Sequence, residues 1–258
     1  MKKTPIASLP NGIPTELSAY FSDAPLYDTS CSPEATVLYT PSHGGLYLKR
    51  APRGSLEKEA KMTSYFYRKG ISVEPLAYIS EDADFLLTRA GIGEDATDAR
   101  YLAGGDRLAA LLGETLRALH ECSFEDCPVP DRTRDYLAAV EEGYTIGRFD
   151  PSFAKEQTTA DHAYRRAQEA APHLTSRVLL HGDFCLPNIL LDDWRFSAFI
   201  DLGAAGVGDR HIDLFWGAWT LHFNLGTDAF RETFLTAYGR DRVDTELLDT
   251  IGYCECFG

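Results

Sequence analysis

The chain has 258 residues, of which 44% are hydrophobic and 25% charged, as is typical of a globular protein with one large domain or two lobes. Its formal net charge is −14, and the excess lies after Ala90. Ten basic and ten acidic residues precede Gly91, and 15 basic and 29 acidic residues follow. Nucleic acid is therefore a poor partner, because binding it depends on neutralising phosphates. The acidic part favours a cationic partner, with simple solubility as the alternative.

Targeting signals and cysteine usage further restrict the class of protein and its expected compartment. No apolar run approaches the roughly 20 residues of a membrane span, and the basic start is not followed by the apolar stretch of a secretory signal. The six cysteines are too sparse for a disulfide scaffold and lack zinc-site spacing. We therefore expect a cytoplasmic protein with reduced thiols and no membrane association.

The first third of the chain predicts a small sheet with one helix. Alternating β-branched and aromatic residues predict strands over residues 35–39, 46–49, 76–79 and 85–88. A helix is expected to run to Arg68, with Ser55 as its N-cap. These elements define a first domain predicted to span residues 1–90.

The remainder, predicted as a second domain over residues 91–258, is mostly helical. Apolar residues at helical spacing predict helices over residues 106–121, 137–143, 158–171, 213–223 and 228–238. One β-rich segment, residues 177–203, interrupts them. A helical region that stops to make short strands and a polar loop usually does so to build a site.

Two apolar strands of this segment flank a loop that holds an Asp and an Asn, and a second Asp closes the next strand. Asp183 and Asn188 lie five positions apart, and Asp201 follows after 13 more, before Gly203. Phosphoryl transfer needs a carboxylate that orients the attacking hydroxyl and oxygen ligands for Mg²⁺. Each aspartate alone would pass for a turn residue. Together they match the kinase pattern of a catalytic-loop Asp and Asn followed by Asp-x-Gly.

The motif His-Gly-Asp-Phe-Cys-Leu-Pro-Asn, followed by Phe-Ile-Asp-Leu-Gly, resembles the aminoglycoside 3′-phosphotransferases. The similarity covers most of the chain and is strongest over residues 178–213. It implies an α+β, protein-kinase-like two-lobed fold, with a small β-rich N-terminal lobe for the nucleotide and a larger, mostly helical C-terminal lobe for catalysis and substrate. It also implies ATP as phosphate donor with Mg²⁺, and the 3′-hydroxyl of a polycationic aminoglycoside as acceptor. In this family the reaction confers antibiotic resistance.

The resemblance assigns the catalytic and phosphate-binding roles. Asp183 would be the catalytic carboxylate, and Asn188 and Asp201 the metal ligands. Lys49 resembles the lysine that binds the ATP phosphates, with Glu59 as its ion-pair partner. An isolated lysine or helix glutamate is usually a solvated surface residue, so the whole pattern supports these two roles.

Further nucleotide contacts follow from the same resemblance. Tyr47 would stack on adenine, against the alternative of a packed strand aromatic. Ser32 lies where the family has a serine-containing loop over the phosphates, against the alternative of a turn serine. Thr88 and Ala90 would be hinge residues whose backbone groups face the adenine edge.

Acceptor contacts are implied near the C-terminus and in one loop. Asp150 matches an acidic substrate loop of the family, and Glu255 and Phe257 match its acidic-then-aromatic ending. Each acid has a solvated surface charge as its alternative. The two acids would bind the ammonium groups of the acceptor, and Phe257 would be a further substrate contact.

The chain also departs from the family pattern. Ala204 stands where the family usually has arginine, and Phe223 and Asn224 stand where it places acids facing the aminoglycoside. Gly258 adds one residue after the terminal aromatic. Ala204, Phe223 and Asn224 favour the alternative of a same-fold kinase acting on another small hydroxylated metabolite, such as an amino alcohol or sugar.

Two other classes are less well supported. A protein kinase is disfavoured because no activation segment and no Ala-Pro-Glu follow the Asp-Leu-Gly motif. A nucleotide-binding pseudokinase is disfavoured because every catalytic position is filled. We expect a monomer or weak dimer.

Overall fold

A computed structural model describes residues 3–22 and 24–258. The described chain divides into two compact units. The first runs to Asp95 and also includes Pro187–Gly203, and the second comprises Ala96–Leu186 and Ala204–Gly258. The sequence assigned residues 187–203 to the second domain, so these units differ from the predicted division. The reason is that Leu190 and Leu191 of this segment pair with Asp95 and Glu94, which end the first part of the first unit.

The strands of the described residues are β1 (Thr4–Ile6), β2 (Leu26–Asp28), β3 (Thr36–Thr40), β4 (Leu46–Pro52), β5 (Pro75–Ser80), β6 (Ala83–Arg89), β7 (Glu94–Asp95), β8 (Val178–Leu180), β9 (Ile189–Asp192), β10 (Arg195–Phe199) and β11 (Gly206–Gly208). The helices are α1 (Thr15–Ser18), α2 (Glu57–Arg68), α3 (Ala99–Leu102), α4 (Gly105–Glu121), α5 (Arg132–Thr145), α6 (Ala160–Ala170), α7 (Arg210–Leu225), α8 (Arg231–Gly239) and α9 (Thr245–Glu255). Every predicted element is present. The elements that were not predicted are α1, α3, α9, β1, β2, β7 and β11.

The first unit is built on a six-stranded antiparallel sheet in the order β1-β2-β3-β4-β6-β5. Along β4, Leu46 and Leu48 are buried, while Tyr47 and Lys49 point to the other face of the sheet and are partly exposed. This alternation sends the apolar residues into the core and the two candidate site residues away from it. A second, three-stranded sheet has the order β10-β9-β7.

Helix α2 begins in a way that the sequence did not indicate. Ser55 is not the N-cap, because its hydroxyl donates to the Pro52 carbonyl at 2.6 Å. The N-cap residue is Leu56, whose backbone N–H donates to Asp84 Oδ2 at 2.9 Å. Asp84 lies on β6 and is fully buried, so a distant strand satisfies an amide at the helix start.

The second unit is helical apart from the two-stranded antiparallel pair β8–β11. Helices α4 and α8 pack closely at Gly113, where an added Cβ would lie 2.3 Å from the Phe234 carbonyl oxygen. Helix α5 begins earlier than predicted, because Asp131 caps it by accepting from the Arg134 amide. Among the described helices, each is too short or too polar to serve as a membrane span.

Candidate active site

Two carboxylates of the first unit converge on one lysine. Lys49 Nζ lies 2.8 Å from Glu59 Oε2 and 2.9 Å from Asp201 Oδ1. Lys49 comes from the central strand β4, Glu59 from the first turn of α2, and Asp201 from the residues after β10. The ion pair expected between Lys49 and Glu59 is therefore present, and the lysine holds a second carboxylate as well.

The environments of these three groups differ. Burial alone would lower the pKa of Lys49, but the Glu59 and Asp201 carboxylates raise it above its ordinary value, so the amine stays charged. Burial and the charge of Asp201 raise the pKa of Glu59, which Lys49 opposes. The Asp201 side chain, in contrast, is 51% exposed. The cluster thus has a buried anchor, Glu59, and an open carboxylate, Asp201.

Asp201 and Asn188 mark the same end of the β9–β10 hairpin. The Ile200 amide donates to the Asn188 carbonyl at 3.0 Å, and Asp201 follows with a left-handed φ of 57°. Asn188, which carries an amide side chain, and Asp201, which carries a partly exposed carboxylate, therefore lie at the same end of the hairpin. Oxygen donors of this kind suit Mg²⁺. Among residues 3–22 and 24–258, no cluster of three or more His, Cys, Asp or Glu side chains forms a metal site of another kind.

The predicted adenine contacts lie along β4 and β6. Tyr47 pairs with Thr88 across the two strands, and its ring lies 4.8 Å from that of Tyr39. Burial, with the nearby charges of Glu94 and Asp95, raises the pKa of Tyr47 to about 12, so its hydroxyl stays neutral. Half-buried and aromatic, Tyr47 has the properties that stacking on a base requires.

The prediction for Ala90 needs a correction. Its backbone N–H donates to the Gly45 carbonyl at 2.9 Å, because the β4–β6 pairing continues one residue beyond Leu46. That amide is therefore engaged and is not an open donor for adenine. The role of Thr88 stays a prediction.

Ser32 lies in the exposed loop between β2 and β3. Its hydroxyl accepts from the Glu34 amide at 3.3 Å, which is the geometry of a turn serine. The hydroxyl is on the protein surface, and a role at the ATP phosphates stays a prediction.

In the second unit, buried Asp213 on α7 fixes the backbone before Asp183. Its carboxylate accepts from the amides of His181 at 2.8 Å and Gly182 at 2.7 Å. Gly182 has a φ of 84°, and a Cβ there would lie 1.9 Å from the Ala204 carbonyl oxygen, so only glycine fits. The chain therefore enters Asp183 in one conformation.

Two further residues complete the buried hydrogen-bond network around Asp213, which we call the Asp213 anchor. His120 Nε2 lies 3.1 Å from Asp213 Oδ2, and His120 Nδ1 lies 2.9 Å from the Tyr238 hydroxyl. Burial lowers the pKa of His120, so the ring is neutral. Because a carboxylate only accepts, Nε2 carries the proton and Nδ1 accepts from the Tyr238 hydroxyl. The sequence did not identify Asp213 or Tyr238 as positioning residues.

Cys185 follows Asp183 in the same loop and is partly buried. Burial, with the charge of Asp183 and a hydrogen bond to it, raises the pKa of the thiol. The thiol therefore stays protonated and is a poor nucleophile.

Glu255 is buried and lies near the catalytic loop. Its Oε1 accepts from the Tyr136 hydroxyl at 2.7 Å. Burial raises the pKa of Glu255 to about 7; Asp183 adds to this, whereas Tyr136 and the Arg132 charge oppose it.

The other predicted acceptor contacts differ in exposure. Asp150 is exposed, and hydrogen bonds from Ser152 lower its pKa. Its amide donates to the Cys256 carbonyl at 2.8 Å, which ties this loop to the C-terminal residues. The Phe257 ring is fully buried against Tyr144. Burial therefore argues against the predicted contact between the Phe257 ring and a substrate, because the ring packs in the core.

The structure defines the contacts and the exposure of the residues that depart from the family pattern. The carbonyl of Ala204 accepts from Arg132 Nε at 2.8 Å, so an arginine from α5 lies beside this position. Asn224 uses its amide group to donate to the Thr220 carbonyl at 2.8 Å. Phe223 is 68% exposed on α7.

These two units, with an ion-paired lysine on a sheet and an anchored Asp-containing loop among helices, are those of a kinase-like phosphotransferase. The chain belongs to the phosphotransferase enzyme family, whose family model matches residues 32–248. The predicted α+β, protein-kinase-like fold is confirmed by solved structures. An aminoglycoside phosphotransferase of Streptomyces rimosus has a TM-score of 0.72 and 25% identity, over 94% of this chain and 96% of that chain.

Curated relatives of the chain carry more specific names than the family. A probable aminoglycoside 3′-phosphotransferase of Lactococcus lactis is 47% identical over 95% of this chain and 95% of its own length. An aminoglycoside 3′-phosphotransferase of Streptomyces fradiae is 32% identical over 79% of this chain and 82% of its own length. A structure of the Streptomyces rimosus enzyme in complex with ADP and streptomycin has a TM-score of 0.65, with 25% identity over 85% of this chain and 90% of that chain.

Proposed function

We propose that this protein is an ATP-dependent aminoglycoside 3′-phosphotransferase that transfers the γ-phosphate of ATP to the 3′-hydroxyl of an aminoglycoside antibiotic and so confers resistance. The observation that carries the proposal is the Lys49–Glu59–Asp201 cluster, in a chain whose Asp183 loop is fixed by buried Asp213. An ion-paired lysine and an open carboxylate are the groups that bind and orient a triphosphate.

Lys49 binds the phosphates, and Glu59 holds the amine in place. Asn188 and Asp201 would hold Mg²⁺, which would neutralise charge on the phosphates. The Tyr47 ring stacks on adenine, Thr88 and the Ala90 carbonyl border the base, and Ser32 contacts the phosphates. Together these residues orient the nucleotide before transfer begins.

Asp183 orients the acceptor hydroxyl and takes its proton. As the hydroxyl oxygen bonds to the γ-phosphorus, the bond between that phosphorus and the β,γ-bridging oxygen breaks, and ADP leaves. Because the transition state is loose, positioning and charge stabilisation supply most of the rate enhancement. The buried anchor around Asp213 keeps Asp183 in place and therefore serves positioning.

An aminoglycoside is the acceptor that fits the charge of the chain and the names of its relatives. The net charge is −14, and the relatives from Lactococcus lactis and Niallia circulans are named as 3′-phosphotransferases. Asp150 and Glu255 are the acids assigned to the acceptor ammonium groups. We expect a cytoplasmic monomer or weak dimer.

A same-fold kinase of another small hydroxylated metabolite is the second candidate. It is favoured by Phe223 and Asn224, which stand where acids would bind ammonium groups, and by the Asn224 amide being engaged with Thr220.

The test is ADP release by purified protein with Mg-ATP, measured across kanamycin, neomycin and unrelated amino alcohols. We expect turnover that depends on the aminoglycoside, and Asp183→Ala should lower it by at least about 100-fold while nucleotide affinity changes little. Turnover with the amino alcohols alone would transfer the assignment to the second candidate. Near-normal turnover by Asp183→Ala would contradict the role of Asp183.

A further inference from the structure

Helix α7 presents a row of aromatic side chains. Trp216, Trp219 and Phe223 are spaced by three and four residues, so they share one helix face. The ring centroids of Trp216 and Trp219 are 5.4 Å apart, and those of Trp219 and Phe223 are 4.9 Å apart with planes at 15°. The Phe153 ring lies 5.7 Å from both indoles. We call Phe153, Trp216, Trp219 and Phe223 the aromatic row.

The row extends from the core to the surface. Trp216 and Trp219 are partly buried, whereas Phe223 at the outer end is 68% exposed. An exposed phenyl ring stacked on an indole adds little to the core of its own unit. Such an exposed apolar surface therefore points to a ligand or a partner.

The helix that carries the row also contacts the catalytic loop. Thr220, next to Trp219, accepts from the Leu186 amide at 3.2 Å through its hydroxyl, and Leu186 is three residues after Asp183. At the inner end of the row, Trp216 packs against the core cluster that includes Cys254 and Cys256, the two neighbours of Glu255. The row therefore lies on the helix that contacts the catalytic loop, and its outer end is exposed to solvent.

Acidic residues lie near the row along the chain. Exposed Asp150 precedes Phe153 by three residues, and its amide is bonded to the carbonyl of Cys256, next to Glu255. Aromatic faces bind the C–H faces of sugar rings and attract ammonium groups, and carboxylates add charge. This combination matches an amino sugar better than a neutral or anionic ligand.

We propose that the aromatic row is the acceptor-binding wall of this enzyme, on which the faces of amino-sugar rings stack. The proposal rests on the proposed function and deepens it, because it names the residues that select the acceptor. It also gives Phe223 a role: an aromatic face takes the place of a carboxylate in binding the cationic acceptor.

The first test is steady-state kinetics with kanamycin. We expect Phe223→Ala and Trp219→Leu each to raise KM for kanamycin about five- to tenfold, with kcat and KM for ATP within about twofold. Phe223→Tyr, which keeps the aromatic face, should behave like the unchanged protein. Tyr67→Ala removes another exposed aromatic ring, on α2, and serves as the matched control.

The second test detects binding without turnover. The chain has three tryptophans, so Trp194→Phe leaves only Trp216 and Trp219 as emitters. Kanamycin without ATP should change their fluorescence saturably, and Phe223→Ala in that background should shift the midpoint about five- to tenfold upward. This result would support the wall even if no aminoglycoside were phosphorylated, in which case only the proposed function would fail.

Two results would overturn the proposal. One is unchanged KM for kanamycin and unchanged indole fluorescence in the row variants, with normal turnover, which would leave the proposed function intact. The other is a dimer that dissociates on Phe223→Ala while kanamycin binding stays the same, because the row would then be an interface between two copies of the chain.

Discussion

Asp201 of the first unit and Asp213 of the second unit are carboxylates in opposite environments. Asp201 is 51% exposed, and one of its oxygens accepts from Lys49. Asp213 is fully buried, and its oxygens accept from two backbone amides and His120. Folding thus consumes the hydrogen-bonding capacity of Asp213 and leaves that of Asp201 partly open. Asp213 therefore fixes a loop, whereas Asp201 keeps the partly open carboxylate that the proposed metal site requires.

The largest stability effect is expected at the buried carboxylate. Asp213→Asn places an amide group against two N–H donors and the His120 Nε2–H, so at least one buried donor loses its acceptor. We expect the free energy of unfolding to fall by about 3 kcal/mol, and turnover to fall with it. Urea unfolding followed by circular dichroism measures this, and an unchanged midpoint would contradict the anchoring role.

The same substitution at the exposed carboxylate should separate stability from activity. Asp201→Asn lies at a largely solvated site, so the free energy of unfolding should stay within about 0.5 kcal/mol. Turnover should fall about 100-fold, because Asp201 would be a ligand of the Mg²⁺ that neutralises charge on the phosphates. If both substitutions lowered stability equally, the contrast between the two carboxylates would not hold.

A pH-dependent effect is expected at Glu255. Its pKa is raised to about 7 from 4.5, so the folded state binds its proton more tightly than the unfolded state. This contribution to stability is present below the unfolded pKa and is lost as pH rises through about 7. Between about pH 5.5 and pH 8, Glu255 should cost about 2 kcal/mol.

Glu255→Gln keeps the acceptor for Tyr136 and removes the titration. The difference in unfolding free energy between the unchanged protein and this variant should therefore move in favour of the variant, by about 2 kcal/mol, over that pH range. Urea unfolding at both pH values measures it. A constant difference would show that Glu255 does not titrate there.

The smallest effect is expected at the outer end of the anchor. Tyr238→Phe removes the hydroxyl that donates to His120 Nδ1, which should cost about 1 kcal/mol of stability. KM for ATP should not change, because the hydroxyl belongs to the buried network of the second unit. Tyr67→Phe, at an exposed position, is the control, and equal effects of the two variants would argue against the network.

The sequence predicted the elements that local patterns specify. The alternation over 46–49 and the apolar spacing over 106–121 correspond to β4 and α4, because the side-chain period reflects which face is buried. The kinase-like class was accessible because Asp183, Asn188 and Asp201 are close in sequence.

The sequence did not reveal interactions between distant segments. The amide at the start of α2 is satisfied by Asp84, 28 residues after Leu56, and local capping rules suggested Ser55 instead. His120 and Tyr238 are 118 positions apart and meet only because α4 packs on α8. The engaged amide of Ala90 likewise depends on the register of β4 and β6. Such pairings are set by tertiary packing, which no local pattern encodes.

The most direct test of the central claim compares kanamycin with its analogue that lacks only the 3′-hydroxyl, at saturating Mg-ATP. We expect ADP release with kanamycin and its loss with the 3′-deoxy analogue, which should still bind and inhibit competitively. Equal turnover with both compounds would contradict transfer to the 3′-hydroxyl.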